Sequence, residues 1–560
     1  MRSALKITAA VFMLSAAICI QGCGREESPA SVTPQVSETT APTATPTETP
    51  VPATPTPEPT ATPDLKPYEI PREIDESTYL FINDKLSGTS SLTLDVTKMA
   101  GYREGAVYQV TLLFADGTAE ETDVTEKDGQ IVFETKGAVK AEVSPVFRFV
   151  FGKLQNEPDP SNINVLAKEA YGPDNWYGFY GTVENLKGGV HLKGTDVCFI
   201  AAVPDGYYDI LLTKYGTARS LVCVNGEVLG CNVGIPGAGG RKGTTPITYY
   251  MEDALVTGGN VRISLGEKDY DLAALEIRRS STLVERKTHL YLAGDSTCSA
   301  YFPIESSEPL AGTFQTGWGQ VLNQFLGTDI AITDLGSGGT CAKTWYDIAF
   351  SGVMYHAQPG DYFIIMHGIN DQSYSNVEEM TSYLSDMIDR CREKEIIPIL
   401  CTPMQTAKFW RDDKGKDLAE FEAPLGGGKA AYMNAIRKLA ADKNVFLIDV
   451  ADITSNQYGI LGRNYVAHNY HLYKAAANVE EDTLHLSYAG AKNVASIIAT
   501  ELYRLQETGK TDGTGKKVTG LSFNPIGCDE ITYTDKDGAE QVLKLERISA
   551  VYRKYGIREK

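Results

Sequence analysis

His289-Leu-Tyr-Leu-Ala-Gly-Asp-Ser-Thr297 is a short apolar run that passes directly into a Gly-Asp-Ser turn. A brief apolar run closed by a turn signal reads as a buried strand. Downstream of it, helical and strand patterns alternate. Gly319–Phe325 reads as a short helix, and Ile330–Leu335, Asp361–His367, Ile396–Cys401 and Val445–Val450 as strands. Val377–Lys394 places Val377, Met380, Leu384, Met387, Ile388 and Cys391 on one helical face, with Asn376 as its cap and Glu379 at the third helical position. Ser487–Leu505 closes the unit as a helix. This alternation, with near-continuous apolar strands, predicts an α/β fold whose parallel sheet is covered on both faces. Active sites of such folds lie at the C-terminal ends of the strands.

Polar residues collect at those ends. Ser296 follows the first strand, Gly338-Gly-Thr340 the second and Gly368-Ile-Asn-Asp371 the third, while Asp482-Thr-Leu-His485 precedes the last helix. Acyl transfer requires this set. A hydroxyl becomes an effective nucleophile when a base takes its proton, and imidazole is the usual base. A carboxylate fixes the imidazole tautomer and stabilises its cation. Donors must also face the oxyanion of the tetrahedral intermediate. The N–H groups of Ser296 and a glycine, with the Asn370 side chain, would supply three. Of the seven histidines, His485 alone has a carboxylate three residues before it and a Leu-Ser helix start after it.

Over about residues 287–508 the sequence resembles the SGNH (GDSL-like) hydrolases, and among them the rhamnogalacturonan acetylesterase group. Gly294-Asp-Ser-Thr297 matches the first block of that family, and Gly317-Trp-Gly-Gln320 a helix start found shortly after it. Asp334–Thr344 matches the second block, Gly368-x-Asn370-Asp371 the third, and Asp482-x-x-His485-Leu-Ser-x-x-Gly490-Ala the last. The resemblance implies a flavodoxin-like three-layer α/β/α domain and a serine esterase. Ser296, Asp482 and His485 would be catalytic, and Ser296, Gly339 and Asn370 would form the oxyanion hole, with neither metal nor organic cofactor. The second block departs from the usual Gly-Arg-Ser as Gly339-Thr-Cys341, and Ile369 stands where the group commonly has His, with His367 two residues earlier. His367, Trp345 and Lys343 are candidate substrate contacts. Each has an alternative: His367 and Trp345, like Trp410, would also serve as core, and Lys343 as a solvated surface charge. Asp371 reads as a cap for the helix after it and Asp295 as a backbone-bonding residue of the nucleophile loop. Cys298 and Cys341 would be close enough for a disulfide if their loops adjoin.

Upstream, two β-rich stretches are expected, a small domain at 67–150 and a β-sandwich at 151–283. Val107–Phe114 with Asp116-Gly117, and strands punctuated by Asp205-Gly206 and Asn225-Gly226, carry that reading. The second stretch resembles the jelly-roll modules found ahead of bacterial polysaccharide esterases, on Val203–Ile210, Val222–Gly226 and Leu272–Ile277. Trp176, Tyr177 and Tyr180 would either stack on a sugar or pack inside. The hydrolase domain is expected over 284–510, and a C-terminal β appendage over 511–560, either separate or completing the sheet of 67–150.

The first 23 residues read as a secretion signal: Arg2 and Lys6, then an apolar run too short to span a bilayer, then Gly22-Cys23. The Gly-Cys pair resembles the bacterial lipobox, which implies a lipid on Cys23. Ser28–Asp64 holds ten Pro and eleven Thr among 37 residues, so residues 24–66 form an extended linker without a core. The 560-residue chain is 42% apolar and carries 52 basic against 72 acidic residues, a net charge of −20. That balance disfavours nucleic acid as a partner, since phosphate contact needs clustered Lys and Arg. The expectation is a bacterial carbohydrate esterase, lipid-anchored on the outer face of the cytoplasmic membrane, that removes O-acetyl groups from pectic polysaccharide. Acetyl-xylan or a lysolipid is the alternative substrate, and a non-catalytic glycan-binding lipoprotein the alternative of another class.

Overall fold

The computed structural model describes residues 76–544, apart from 87, 154–158, 173, 216–220, 232–245, 267–268, 302–314, 408–428, 462, 473–481, 525–529 and 535–539. The signal stretch with Cys23, the Pro/Thr-rich linker, Trp410 and the Asp537-Gly538 turn lie outside the described residues.

Downstream of Thr288 the strands form a five-stranded, all-parallel sheet. Its order is Ile330–Asp334, Thr288–Gly294, Tyr362–Met366, Ile397–Cys401 and Phe446–Ile448. In chain order this is 2-1-3-4-5, so the winding reverses between the first and third strands. Such a reversal opens a crevice at the carboxyl ends of those two strands. Successive strand residues face opposite sides. Leu290, Leu292, Ile364, Met366 and Ile399 pack with Val494, Ile497 and Ile498 of the helix Tyr488–Thr508. Tyr291, Ala293, Phe363, Ile365 and Leu400 pack with Met380, Leu384, Met387 and Ile388 of the helix Val377–Glu393. Each fully buried Leu or Ile contributes ~1.5–3 kcal/mol. The helix ends follow the expected chemistry. Asn376 accepts from Glu379 N–H at 2.8 Å, Ser487 accepts from Gly490 N–H at 3.2 Å, and Gly509 ends the last helix in the left-handed region at φ 59°. The helix Lys429–Lys443 escaped the periodicity reading because its apolar residues do not keep to one stripe.

The upstream strands form a thirteen-stranded, largely antiparallel sheet. The Asp116-Gly117 and Asn225-Gly226 turns close hairpins between Val107–Leu113 and Ala119–Thr125, and between Val222–Val224 and Glu227–Gly230. The strand Lys140–Phe151 runs across residue 150, where the two β-rich stretches were divided. It pairs with Val107–Leu113 on one side and Asp269–Arg279 on the other, so ladder hydrogen bonds join both stretches. Trp176 and Tyr177 pack on the inner rings of Phe147 and Phe149, at centroid distances of 4.8–6.0 Å, while Tyr180 is exposed.

At the other end, Glu530–Thr534 and Glu540–Lys544 make a two-stranded sheet of their own and do not extend the upstream one. The segment just before them lies in the catalytic domain. Val518 and Leu521 pack with the last helix, Thr519 N–H donates to Tyr362 Oη at 2.8 Å, and Arg392 pairs with Asp512 at 3.1 Å.

The β region is packed tightly onto the α/β domain. Val228 and Tyr249 share one apolar cluster with Phe350 and Val353. Leu255 N–H donates to His356 Nδ1 at 3.2 Å, and burial pushes that imidazole down to about 3, which keeps it a neutral acceptor. Arg286 grips Asp361 with two bonds of 2.8 and 3.0 Å. A methyl group on Gly352 would collide with the backbone carbonyl of Val228, which cannot swing aside as a side chain can. Gly352→Ala is therefore expected to cost ~1–3 kcal/mol in urea unfolding, and an unchanged midpoint would show that the two parts are not packed this closely.

Candidate active site

Four loops meet in the crevice that the strand order opens. The first is the turn after Gly294. Its backbone is cross-braced by Asp295, whose Oδ1 accepts from both N–H and Oγ1 of Thr297 at 2.8 Å, and whose carbonyl accepts from Cys298 N–H at 3.1 Å. Tyr301 Oη donates to the Ser296 carbonyl at 2.6 Å. Gly317 is wedged against the carbonyls of Cys298 and Ser299, where a side chain has no room. The Gly-Trp-Gly helix start is thus a backbone-to-backbone contact that seats the nucleophile turn, reinforced by Trp318 N–H donating to the Thr297 carbonyl at 2.9 Å.

The last loop supplies an imidazole and a carboxylate. His485 Nε2 stands 3.0 Å from Ser296 Oγ, and His485 Nδ1 stands 2.8 Å from Asp482 Oδ2. Asp482 Oδ1 accepts from the N–H groups of Leu484 and His485 at 3.0 and 2.9 Å. Burial pushes the Asp482 carboxyl up. The hydrogen bond and charge of His485 and the two N–H donors outweigh burial and hold it below its ordinary value. The loop is pinned to the rest of the crevice by Thr316 N–H donating to the Leu486 carbonyl at 3.0 Å. The geometry is that of a hydroxyl, a base and an orienting carboxylate in line.

Gly339, on the second loop, has φ +83°, in the left-handed region that glycine enters without strain. Among the described residues, the N–H groups of Ser296 and Gly339 donate to no protein acceptor. Asn370, on the third loop, donates through Nδ2 to the Thr340 carbonyl at 3.1 Å, which leaves its second amide hydrogen for a ligand. The second and third loops are tied by Asp371. Wholly buried, it accepts from Ala342 N–H at 3.0 Å and Gly368 N–H at 2.9 Å. Sequence reading made it a helix cap, whereas its main work is to hold two loops at one spacing.

Of the three expected substrate contacts, two are buried in the core and the third is engaged by neighbouring side chains. Trp345 is fully buried and donates through Nε1 to the Leu335 carbonyl at 2.7 Å, so its ring packs in the core beside Phe363. His367 is 1% exposed, and burial pushes its imidazole down to about 3. It is a neutral core ring beside Trp345. Lys343 donates to Tyr383 Oη at 2.8 Å and pairs with Asp347 at 3.3 Å, so its ammonium is already engaged. A strand-end position was the only sequence signal for these three, and it does not reveal which way a side chain turns. Cys298 and Cys341 are free thiols. Cys298 donates to Asp334 Oδ1 at 3.4 Å, and Cys341 lies 3.4 Å from Thr344 Oγ1.

Asp334 was not singled out in the sequence. It ends the second strand and lies directly under the nucleophile turn, accepting from Gly336 N–H at 2.9 Å as well as from Cys298. Among the described residues its Oδ2 has no partner.

Residues 292–492 match the family described as GDSL-like Lipase/Acylhydrolase. The chain carries a GDSL-like lipase/acylhydrolase domain. That domain is an SGNH-type esterase domain. The chain is similar to the uncharacterized esterase YxiM of Bacillus subtilis (strain 168), with 28% identity over 386 residues, 65% of this chain and 93% of that protein. It is also similar to the probable rhamnogalacturonan acetylesterase YesY of the same organism, at 29% identity over 225 residues, 39% of this chain and 93% of that one. The crystal structure of Bacillus subtilis YxiM superposes with a TM-score of 0.52 at 25% identity, covering 64% of this chain and 98% of that chain. The likeness to YxiM thus extends well beyond the hydrolase domain.

Asp334 makes the stability of this SGNH esterase depend on pH. Burial pushes its carboxyl up to about 7, against the pull of Gly336 N–H and the Cys298 thiol. Below its ordinary value of 3.8 the group is protonated whether the chain is folded or not; between 3.8 and about 7 the unfolded chain alone ionises it. The unfolded state then binds fewer protons, so stability falls as pH rises through that window and levels off above it. Asp334→Asn should therefore gain in Tm over the parent from about pH 4 to about pH 7 and hold that gain at higher pH. A Tm difference that does not change with pH would refute a buried, protonated Asp334.

Proposed function

We propose that this protein is a surface-anchored carbohydrate esterase that removes O-acetyl groups from plant cell-wall polysaccharide, acetylated rhamnogalacturonan first among them. The observation that carries the reading is the alignment of Ser296 Oγ, His485 and Asp482 at 3.0 and 2.8 Å. In the proposed reaction Ser296 Oγ attacks the acetyl carbonyl carbon while its proton passes to His485 Nε2. Asp482, held ionised, stabilises the imidazolium. The carbonyl oxygen takes up negative charge between the two N–H groups and Asn370 Nδ2. Collapse of the intermediate breaks the bond to the sugar oxygen, which leaves with the proton from His485. Water then attacks the acetyl-serine, His485 takes its proton, and acetate departs as Ser296 is regenerated.

Similarity to YesY, whose name specifies rhamnogalacturonan, supports the pectic substrate. The packing of helices against alternate residues of the parallel sheet supports a three-layer α/β/α catalytic domain. The basic start, apolar run and Gly22-Cys23 support export and a lipid on Cys23, and the Pro/Thr-rich residues 24–66 a spacer between membrane and enzyme.

Acetate release from acetylated rhamnogalacturonan, acetyl-xylan and a lysolipid, followed for parent and variants, tests this. Ser296→Ala should lower kcat on the order of 10⁶-fold, Asp482→Asn about 10⁴-fold, and Asn370→Ala about 10²–10³-fold. Full acetate release by Ser296→Ala would sink the mechanism. Turnover of the lysolipid alone would sink the substrate.

A further inference from the structure

A second cleft, of about 610 Å³, opens between strands of the upstream sheet and the segment Ser280–Lys287 that leads into the catalytic sheet. Glu285, Arg286 and Lys287 line it, and they immediately precede the strand Thr288–Gly294, whereas Ser296 follows that strand. At ~3.3 Å per strand residue the two places are roughly 25 Å apart. The cleft is therefore not part of the esterase crevice, and its volume is that of a small-molecule site, ~300–1,000 Å³.

Its wall is built around an irregularity. Where Gly206–Tyr215 pairs with Pro246–Val256, Tyr208 opposes Ala254 and Ile210 opposes Met251, so Asp209 alone faces both Glu252 and Asp253. This is a β-bulge, and bulges re-aim side chains. Asp253 takes φ +51°, a left-handed conformation that a non-glycine residue adopts at a cost. The result is that Glu252 and Asp253, neighbours that would otherwise face opposite sides of the sheet, both line the cleft. Asp209 accepts from Tyr250 Oη and from Asp253 N–H, each at 3.0 Å, and Asp253 accepts from Ser280 Oγ at 2.9 Å. Lys287 pairs with Glu252 at 2.6 Å. The Arg286 guanidinium lies over the Tyr207 ring, 5.3 Å from its centroid. Tyr250 is 36% exposed and Val284 43%.

We propose that this cleft binds a neutral oligosaccharide. Carboxylates and cations already fixed by one another accept from and donate to sugar hydroxyls with little further ordering, and the exposed phenol ring of Tyr250, lining the same cleft as Val284, suits the C–H face of a pyranose. Five acidic side chains, Glu121, Asp209, Glu252, Asp253 and Glu285, outnumber the three basic ones, Arg279, Arg286 and Lys287, so an anionic chain is repelled. Among the described residues no set of His, Cys, Asp or Glu is placed to hold a metal ion, which sets this cluster apart from a cation site. Burial pushes the Asp209 carboxyl up to about 6, in keeping with a wall that holds its charge in check. The cleft would hold the enzyme on neutral stretches of a polymer independently of which ester reaches Ser296.

Calorimetric titration of the protein with galactotetraose, xylotetraose and tetragalacturonate tests this, alongside Tyr250→Ala and, at a more exposed position, Val284→Arg, which would fill the cleft. A neutral tetrasaccharide should bind the parent and lose roughly tenfold or more in affinity in both variants, with thermal unfolding confirming that each is folded. No binding of either neutral tetrasaccharide at millimolar concentration overturns the proposal. So does binding that a folded variant leaves intact, which would place the sugar elsewhere, or a preference for tetragalacturonate.

Discussion

The hydrogen bond from Ser296 Oγ to His485 Nε2 joins residues 189 positions apart, and most of the catalytic domain serves to keep that bond short. Neither residue is held by its own flexibility. Ser296 rides on a turn braced by Asp295, propped by Tyr301 and seated on a side-chain-free contact at Gly317. His485 is gripped through its own backbone and ring by Asp482, and its loop is tied to Thr316 beside the nucleophile turn. In the proposed reaction an angstrom of slack at this point would cost reactivity, because proximity supplies much of the barrier reduction in acyl transfer.

Burial favours the neutral forms of several polar groups in this domain. His367 and His356 sit far below their ordinary values and Asp334 well above its own, each through burial. A charge in any of these places would meet no compensating partner and would cost several kcal/mol. Asp482 and His485 are by contrast both partly open to solvent. The upstream sheet adds rigidity of another kind. It meets the α/β domain through an apolar cluster, a bidentate Arg286–Asp361 pair and a backbone contact at Gly352, which fix the two parts against each other.

Part of the site was legible in the order of short motifs. Ser296, Asp482 and His485 each sit at a strand or helix boundary, and the structure brings these three within hydrogen-bond distance. The side-chain roles of His367, Trp345 and Lys343 were not legible. A residue next to a strand end points into the crevice or into the core according to one backbone torsion, and composition carries no trace of it. Asp334 and Asp371 were hidden for the opposite reason. Their partners are backbone N–H groups, some within two or three residues and one on another loop, and a thiol on another loop, which leave no side-chain pattern to find.

The sequence by itself determined the parallel α/β architecture, the hairpin turns at Asp116-Gly117 and Asn225-Gly226 and the chemistry of the crevice, because these follow from local periodicity, turn stereochemistry and residue type. Only the tertiary structure decided that the two β-rich stretches share one sheet, that residues 511–523 belong to the catalytic core, and that Glu252 and Asp253 turn toward one cleft. Those outcomes depend on which strands pair and in what register. Pairing is settled by burial and hydrogen bonding between distant segments, and a linear pattern does not encode it.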